Sequence, residues 1–169
     1  MDQINATALF REKVEAATAG LKDLQALRDS DEFVEYVFKI GRYLFEKPLD
    51  QLSEDWLTHT GVKLTGAYAY LSNKAAYARA ERDVYAQKLT EVESKLMTDY
   101  LDSDYKVTET RAIIKRETAE IADLVTQKEH EKNSYENVMS ACDRMSSFIQ
   151  SALRIKTNEL RGVTTKYGS

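Results

Sequence analysis

Ten residues between Leu64 and Leu96 follow one another at steps that alternate strictly between four and three. They are Leu64, Tyr68, Leu71, Ala75, Ala78, Arg82, Tyr85, Leu89, Val92 and Leu96. An alternation kept over more than four heptads is typical of a coiled-coil seam rather than of one face of a globular helix. The pattern predicts one long α-helix over Val62–Met97, about 50 Å in length.

A second long helical pattern begins near Thr108 and reaches about Leu160. Its later half repeats apolar residues at steps of three and four, namely Tyr135, Val138, Cys142, Met145, Ile149 and Ala152. Between Val125 and Ser134 the apolar pattern fades, which leaves open whether the stretch is one helix or two. Two such seams joined by a polar connection predict a long antiparallel hairpin, or coiled coil, in an all-α fold.

The later seam also predicts self-association. A two-helix hairpin leaves apolar surface uncovered, and contiguous exposed apolar surface marks interfaces. We therefore expect a homo-oligomer larger than a dimer, formed through Val138, Cys142, Met145, Ile149, Ala152 and Ile155.

The first 61 residues predict a smaller, acidic helical extension, because 12 acidic residues stand there against 7 basic ones. An amphipathic helix is expected over Ala6–Leu27, and a capping box at Asp29 and Glu32 starts a second helix that ends before Pro48. A short third helix around Leu49–Leu57 ends at the sequence HTG. The predicted organisation is an extension over 1–61, a long coiled-coil helix over 62–101, an oligomerisation region over 102–160 and a flexible tail over 161–169.

The composition predicts a cytoplasmic protein without an enzymatic site. No apolar run approaches the ~20 residues that span a bilayer, and the first residues lack the cationic start and apolar core of a secretory signal. A single cysteine excludes an internal disulfide. The sequence has no glycine-rich phosphate loop, nucleophile elbow or H-E-x-x-H motif, so neither catalysis nor a cofactor is expected.

No metal site is expected either. His59 and His130 stand apart, with no cysteine or second histidine at ligand spacing. The acidic residues Asp99, Asp102 and Asp104 lack the glycine and the closing glutamate of a calcium loop.

Basic residues lie on the flank of the first seam. Lys74, Lys88 and Lys95 share one heptad position, Glu81 interrupts their column, and Arg79 is nearby. Charge on a coiled-coil flank is often merely solvated. The alternative is a stripe that tracks phosphates while neighbouring tyrosines, here Tyr70 and Tyr77, stack on bases, as in sequence-tolerant single-strand binding.

Arg82 is the one charged member of the first seam. A buried guanidinium without a partner is costly, so a carboxylate is expected across the seam. Because a polar group on a seam fixes register or oligomeric state, we predict that Arg82 specifies packing rather than contacting DNA.

The run YLSNKAAYARAERDVYAQKLTEVESKLMTDY contains the basic positions Lys74, Lys88 and Lys95, and the run CDRMSSFIQSALRIK contains Cys142 and Ile149. In residue order and spacing these runs resemble the first long helix and the C-terminal helix of the UvsY-type recombination mediators of tailed phages. The resemblance covers about residues 66–160. It implies an all-helical, ring-forming protein that binds single-stranded DNA and helps a RecA-type recombinase to displace the single-strand-binding protein.

The resemblance also assigns residues. One member of the family's DNA-contacting basic pair falls on Lys95 and the other on Glu93, so half of that pair is missing here. Lys74 and Lys88 match basic positions, whereas residues 1–61 have no counterpart. With Arg79, which lies near the lysine column, the predicted DNA-binding set is Lys74, Arg79, Lys88 and Lys95.

Two hypotheses of function follow. The preferred one is a recombination mediator that binds single-stranded DNA and assists the loading of a RecA-type recombinase in the cytoplasm of a bacterial host. The alternative is a non-enzymatic structural or adaptor coiled-coil protein of a phage, such as a virion or assembly component, with no role in nucleic-acid binding.

Overall fold

The computed structural model describes residues 31–101 and 107–166, with side chains described at 31–100 and 107–158. The secondary structure of these residues is helical: α1 (Glu32–Glu46), a 3-10 turn (Leu49–Gln51), α2 (Glu54–Leu101), α3 (Val107–Glu117) and α4 (Ala119–Lys166). The long helices α2 and α4 pack together, so the prediction of an all-α hairpin is confirmed. The helix expected over Ala6–Leu27 and the acidic residues Asp102 and Asp104 lie outside the described residues.

The chain divides into two compact units. We call Met1–Ser72 with Ser134–Ser169 the core unit and Asn73–Asn133 the hairpin unit. Both contain part of α2 and part of α4. Within the described ranges no helix is long and apolar enough to cross a membrane.

The N-cap of α1 is Asp31, whereas Asp29 of the expected capping box lies outside the described residues. The Asp31 Oδ1 atom accepts hydrogen bonds from the backbone N–H groups of Phe33, at 2.9 Å, and of Val34, at 3.3 Å. These bonds satisfy two of the donors that a helix start leaves unpaired. The helix ends at Glu46, directly before the Lys47-Pro48 pair, as the sequence predicts.

Helix α2 begins earlier than expected and has no break at Gly61. The Ser53 hydroxyl accepts a hydrogen bond from the Trp56 N–H at 3.1 Å, and the helix then continues from Glu54 to Leu101. A Cβ atom built on Gly61 would lie 3.5 Å from Ile149 Cγ2. Packing in the core unit therefore outweighs the low helix propensity of glycine, which costs about 1 kcal/mol relative to alanine.

The core unit buries its apolar side chains between three helices. Helix α1 packs against α2 through stacked rings of Phe33 and Tyr70, 4.3 Å between centroids, and through Tyr43 and Trp56 at 4.7 Å. The largest fully buried side chains here are Val34, Val37, Leu44, Leu52, Leu57, Leu64, Leu71, Val138, Met145 and Ile149. Tyr68, expected on the seam, is 41 % exposed, and Ala67 is buried instead.

The apolar residues that were expected to form an oligomer interface are buried inside the core unit, with the exception of Ile155. Val138, Cys142, Met145, Ile149 and Ala152 are all buried within a single chain. The expectation that one hairpin leaves them exposed is therefore wrong. Ile155 is 45 % exposed, and assembly of the chain stays a prediction.

The hairpin unit is built differently. Its described buried residues are small or polar, apart from Ile114: Ala75, Ala78, Thr110, Ile114 and Thr118. The helical stretch after residue 107 is interrupted at Thr118, whose N–H and hydroxyl both donate to the Ile114 carbonyl at 2.9 Å. Residues 125–134, where the apolar pattern fades, continue the helix. Helix α4 also extends to Lys166, six residues into the segment expected as a tail.

Candidate nucleic-acid interface on the second half of α2

The guanidinium of Arg82 is held between two carboxylates. Its Nη1 atom lies 2.8 Å from Glu129 Oε2 on α4, and it also forms an ion pair with the neighbouring Asp83. Its side chain is 29 % exposed. Hydrogen bonds to Asp83 and to Glu129 raise the pKa of Arg82 further above its already high ordinary value. The predicted carboxylate across the seam is therefore present, and it is Glu129.

A second ion pair of opposite polarity lies beside the first. Lys128 Nζ on α4 is 2.7 Å from Glu81 Oε2 on α2 and 2.9 Å from Glu131 Oε2. Hydrogen bonds that Lys128 donates to these two carboxylates, chiefly the one to Glu81, raise the pKa of Lys128. Lys132 in turn lies 2.7 Å from Glu129 Oε1, and with Arg82 it lowers the pKa of Glu129.

The sequence interpretation did not identify the α4 members of this network. They are Lys128, Glu129, Glu131 and Lys132, in the segment where the apolar pattern fades. A signal was present, because Lys128 with Glu131 and Glu129 with Lys132 are opposite charges three residues apart, a spacing that places them on one helix face.

The structure separates the four predicted DNA-binding residues into groups. Lys88 and Lys95 are exposed and lie on one side of α2, about 10 Å apart along the helix axis. Lys74 is half-buried. Arg79 is exposed but precedes Lys88 by nine residues, about two and a half helical turns, and so points to the opposite side of α2. Arg79 therefore does not share a surface with the lysines.

The two tyrosines predicted to stack on bases also differ. In the core unit the Tyr70 hydroxyl donates to Asp31 Oδ2 at 3.1 Å, and its ring stacks on Phe33, so it is engaged within the fold. In the hairpin unit Tyr77 is 72 % exposed, and Val84, one heptad later, is 65 % exposed. Tyr77 thus remains as an exposed aromatic side chain on the same side of α2 as Lys88, eleven residues and about 16 Å before it along the helix axis.

Acidic side chains lie on the same half of α2. Glu91 accepts a hydrogen bond from Gln87 at 2.9 Å, and Glu93, at the position where the resemblance leads us to expect a base, is exposed. These carboxylates reduce the positive potential around Lys88 and Lys95.

The histidines and the cysteine lie outside this network. His59 and His130 are exposed, and no group of three His, Cys, Asp or Glu side chains there could hold a metal ion. Burial raises the pKa of the Cys142 thiol to about 12, which keeps it protonated. Cys142 is therefore a core residue, as its place on the seam predicts.

Comparison with known proteins gave no match to any family model, curated protein or solved structure.

Proposed function

We propose that the chain binds single-stranded DNA through the second half of α2 and acts as a recombination mediator. The main support is the pairing of Glu81, the one acidic residue within the lysine column. Its carboxylate lies 2.7 Å from Lys128, so its charge is neutralised inside the hairpin unit. Glu81 is exposed but paired, so the unpaired charge of the column's exposed part is that of Lys88 and Lys95, which suits a phosphate backbone.

Tyr77 adds the second component of such a surface. Its ring is largely exposed, and every base has a face that can stack on an aromatic ring whatever the sequence. Lysines that contact phosphates together with a tyrosine that contacts bases would favour single strands, because duplex bases are already stacked.

The proposed activity needs no bond chemistry. A chain that binds the strand competes with the single-strand-binding protein, and the strand that becomes free is available to a RecA-type recombinase. In thermodynamic terms the mediator shifts a population by its differential affinity for the two states of the strand. We place this activity in the cytoplasm of a bacterial host, on the family resemblance alone.

The binding step is tested by fluorescence anisotropy with labelled oligo-dT over a salt series. Affinity is expected to fall as salt rises, with a slope of log K against log salt of about −0.7 per phosphate contact. The double variant Lys88→Ala/Lys95→Ala should bind more weakly with a shallower slope. Arg42→Ala, which removes an exposed cation from α1, is the matched control and should bind like the parent.

A gain of affinity gives an independent test. Glu93→Lys restores the base that the resemblance leads us to expect and should tighten binding, whereas Glu109→Lys makes the same charge change on the exposed surface of α3. Equal affinities for the two variants, or a flat salt response in the parent, would contradict the proposal.

The mediator step is tested separately, through ATP hydrolysis by a RecA-type recombinase on DNA already covered with single-strand-binding protein. Addition of the chain should shorten the lag before hydrolysis begins. A lag that stays the same, with DNA binding intact, would restrict the function to binding.

The adaptor hypothesis has one observation in its favour. Tyr77 and Val84 form an exposed apolar pair one heptad apart, and a partner helix could cover such a pair. An adaptor would show no affinity for oligo-dT, and Tyr77→Ser/Val84→Ser would change its association with a protein partner.

A further inference from the structure

Helix α1 lies along a row of α2 side chains that stand seven residues apart. Each of the three faces one aromatic ring of α1: Tyr70 faces Phe33, Lys63 faces Tyr36 and Trp56 faces Tyr43. The ring centroids of the first and the last pair are 4.3 Å and 4.7 Å apart, and the Lys63 Nζ atom is 5.8 Å from the ring centre. Residue numbers fall along α1 as they rise along α2, so the two helices are antiparallel.

The same row of α2 continues beyond the start of α1. Its next two positions are Tyr77 and Val84, which are 72 % and 65 % exposed. Ala80 between them is also exposed, so the three residues form an apolar strip at steps of three and four on one face of the helix. Because each heptad drifts by only about 20° around a straight helix, the strip lies nearly in line with the covered part of the row.

The described chain begins close to this strip. The Asp31 Oδ2 atom accepts a hydrogen bond from the Tyr70 hydroxyl at 3.1 Å. Tyr70 precedes Tyr77 by one heptad, about 10 Å along the axis of α2. Because α1 and α2 are antiparallel, the line of α1 extended backwards beyond Asp31 leads along α2 towards Tyr77 and Val84.

Residues 6–27, which precede this point in the chain, have the pattern that such a strip requires. The sequence predicts an amphipathic helix there, with apolar side chains at three- and four-residue steps: Leu9, Phe10, Val14, Ala17, Leu21, Leu24 and Leu27. Such a helix is about 33 Å long, whereas Tyr77 and Val84 are about 10 Å apart along the axis of α2. Residues 28–30 can span about 10 Å when extended, so the helix reaches the strip.

We propose that residues 6–27 pack on the apolar strip of Tyr77, Ala80 and Val84, antiparallel to α2 and in continuation of α1. The short tether to Asp31 keeps this segment at an effective concentration in the millimolar range. A weak apolar contact therefore forms within one chain before it forms between two chains at micromolar concentration. The occupant of the strip is this segment rather than a second copy.

Docking of the segment regulates the DNA surface, a consequence that rests on the proposed function. A covered Tyr77 ring cannot stack on a base, so the DNA strand and residues 6–27 compete for one surface. The apparent affinity for DNA is the intrinsic affinity reduced by the uncovered fraction of chains. With about one chain in ten uncovered, release of the segment raises the affinity about tenfold.

The contact is tested without DNA by photo-crosslinking in the full chain. The photoreactive amino acid p-benzoylphenylalanine replaces Tyr77, and mass spectrometry of the digested product identifies the attached peptide. The expected product has the mass of one chain and joins position 77 to residues 6–27. The same replacement at Val107, which is 50 % exposed on α3, is the control and should give no link to that segment. A product that joins two chains, or the absence of a link to residues 6–27, would overturn the proposal.

The extent of docking is measured with a thiol introduced by Val84→Cys, while the native cysteine is buried and stays in place. The introduced thiol should react slowly with a thiol reagent, and about tenfold faster after Leu21→Ser/Leu24→Ser. The control Ala19→Ser/Ala26→Ser makes two changes on the opposite face of the predicted helix and should leave the rate unchanged. Equal rates in the two double variants would contradict docking.

Affinity for labelled oligo-dT distinguishes a failure of this proposal from a failure of the proposed function. Leu21→Ser/Leu24→Ser should bind about tenfold more tightly than the parent, and Ala19→Ser/Ala26→Ser should bind like the parent. An internal link in a chain that binds no DNA in any variant would support docking and contradict the proposed function. DNA binding without the link would overturn docking and leave the proposed function in place, and equal DNA affinities in the presence of the link would overturn the competition.

Discussion

One carboxylate, that of Asp31, caps α1 with its Oδ1 atom and accepts a hydrogen bond from the Tyr70 hydroxyl of α2 with its Oδ2 atom. The start of α1 and its attachment to α2 therefore depend on the same side chain. Asp31 is buried, so neither bond is easily replaced by water.

Removal of this carboxylate should destabilise the core unit in two ways. We expect Asp31→Ala to lower the free energy of unfolding by about 1–2 kcal/mol for the lost cap alone, with a further loss for the Tyr70 bond. Tyr70→Phe should cost about 1 kcal/mol, because it removes one hydrogen bond and keeps the stacked ring. Urea denaturation measures both, and the exposed Asp50→Ala is the control. Equal stabilities of Asp31→Ala and Asp50→Ala would show that the cap is dispensable.

Gly66 is a site where a methyl group should stabilise the chain. It lies within α2, and a Cβ atom built there meets nothing within 4 Å. Gly66→Ala should therefore raise the free energy of unfolding by roughly 0.5–1 kcal/mol through helix propensity alone. Gly61→Ala, which would meet Ile149 at 3.5 Å, provides a comparison with the same gain in propensity but a neighbour in contact. A lower melting temperature for Gly66→Ala would contradict this expectation.

Variants of Ile149 and Ile155 distinguish an effect on folding from an effect on assembly. Ile149 is fully buried, so Ile149→Asp places a charge in the core. It should lower the free energy of unfolding by at least ~3 kcal/mol, the typical loss when a large buried side chain is removed. Ile155 is exposed, so Ile155→Asp should retain the parent's helix content and unfolding midpoint. Light scattering then tests assembly, because a smaller mass for Ile155→Asp at equal stability would place this residue in an interface. A monomeric parent at micromolar concentration would remove the prediction of an oligomer.

The buried thiol of Cys142 should make stability fall at alkaline pH. Burial raises its pKa from an ordinary value of about 9 to about 12 in the folded chain, so the unfolded state releases its proton first. The stabilisation is fully present below the ordinary value and is lost as pH rises towards 12. Unfolding midpoints between pH 8 and pH 11 should fall more steeply for the parent than for Cys142→Ala. If the midpoints of the parent and of Cys142→Ala fell equally with pH, the thiol would be more accessible than its burial indicates. A thiol reagent would then react with the folded chain.

The spacing of apolar residues predicted the long hairpin well, because a seven-residue repeat indicates which face of a helix is apolar. The same spacing does not indicate which other element covers that face. The seam around Met145 and Ile149 looked like an oligomer interface, yet both side chains are buried within a single chain. The preference for Ala67 over Tyr68 likewise depends on the position of neighbouring helices and not on hydrophobicity.

The candidate site was predictable in part. Arg82 needed a carboxylate, and the sequence indicated this, but the choice of Glu129 required the pairing of residues 47 positions apart. The separation of Arg79 from the lysines could be derived from helix geometry, because α2 is continuous and a spacing of nine residues places Arg79 on the side opposite Lys88. The neutralisation of Glu81 by Lys128 could not be derived, because nothing local to α2 encodes it.

The uneven distribution of buried side chains has a consequence for amide hydrogen exchange along α2. Opening the helix near Leu64 and Leu71 exposes large apolar side chains, whereas opening it near Ala75 and Ala78 exposes only methyl groups. Exchange protection follows the free energy of the local opening that exposes each amide. We therefore expect one uninterrupted helix to show two exchange lifetimes, long for the amides of the core unit and short for those of the hairpin unit.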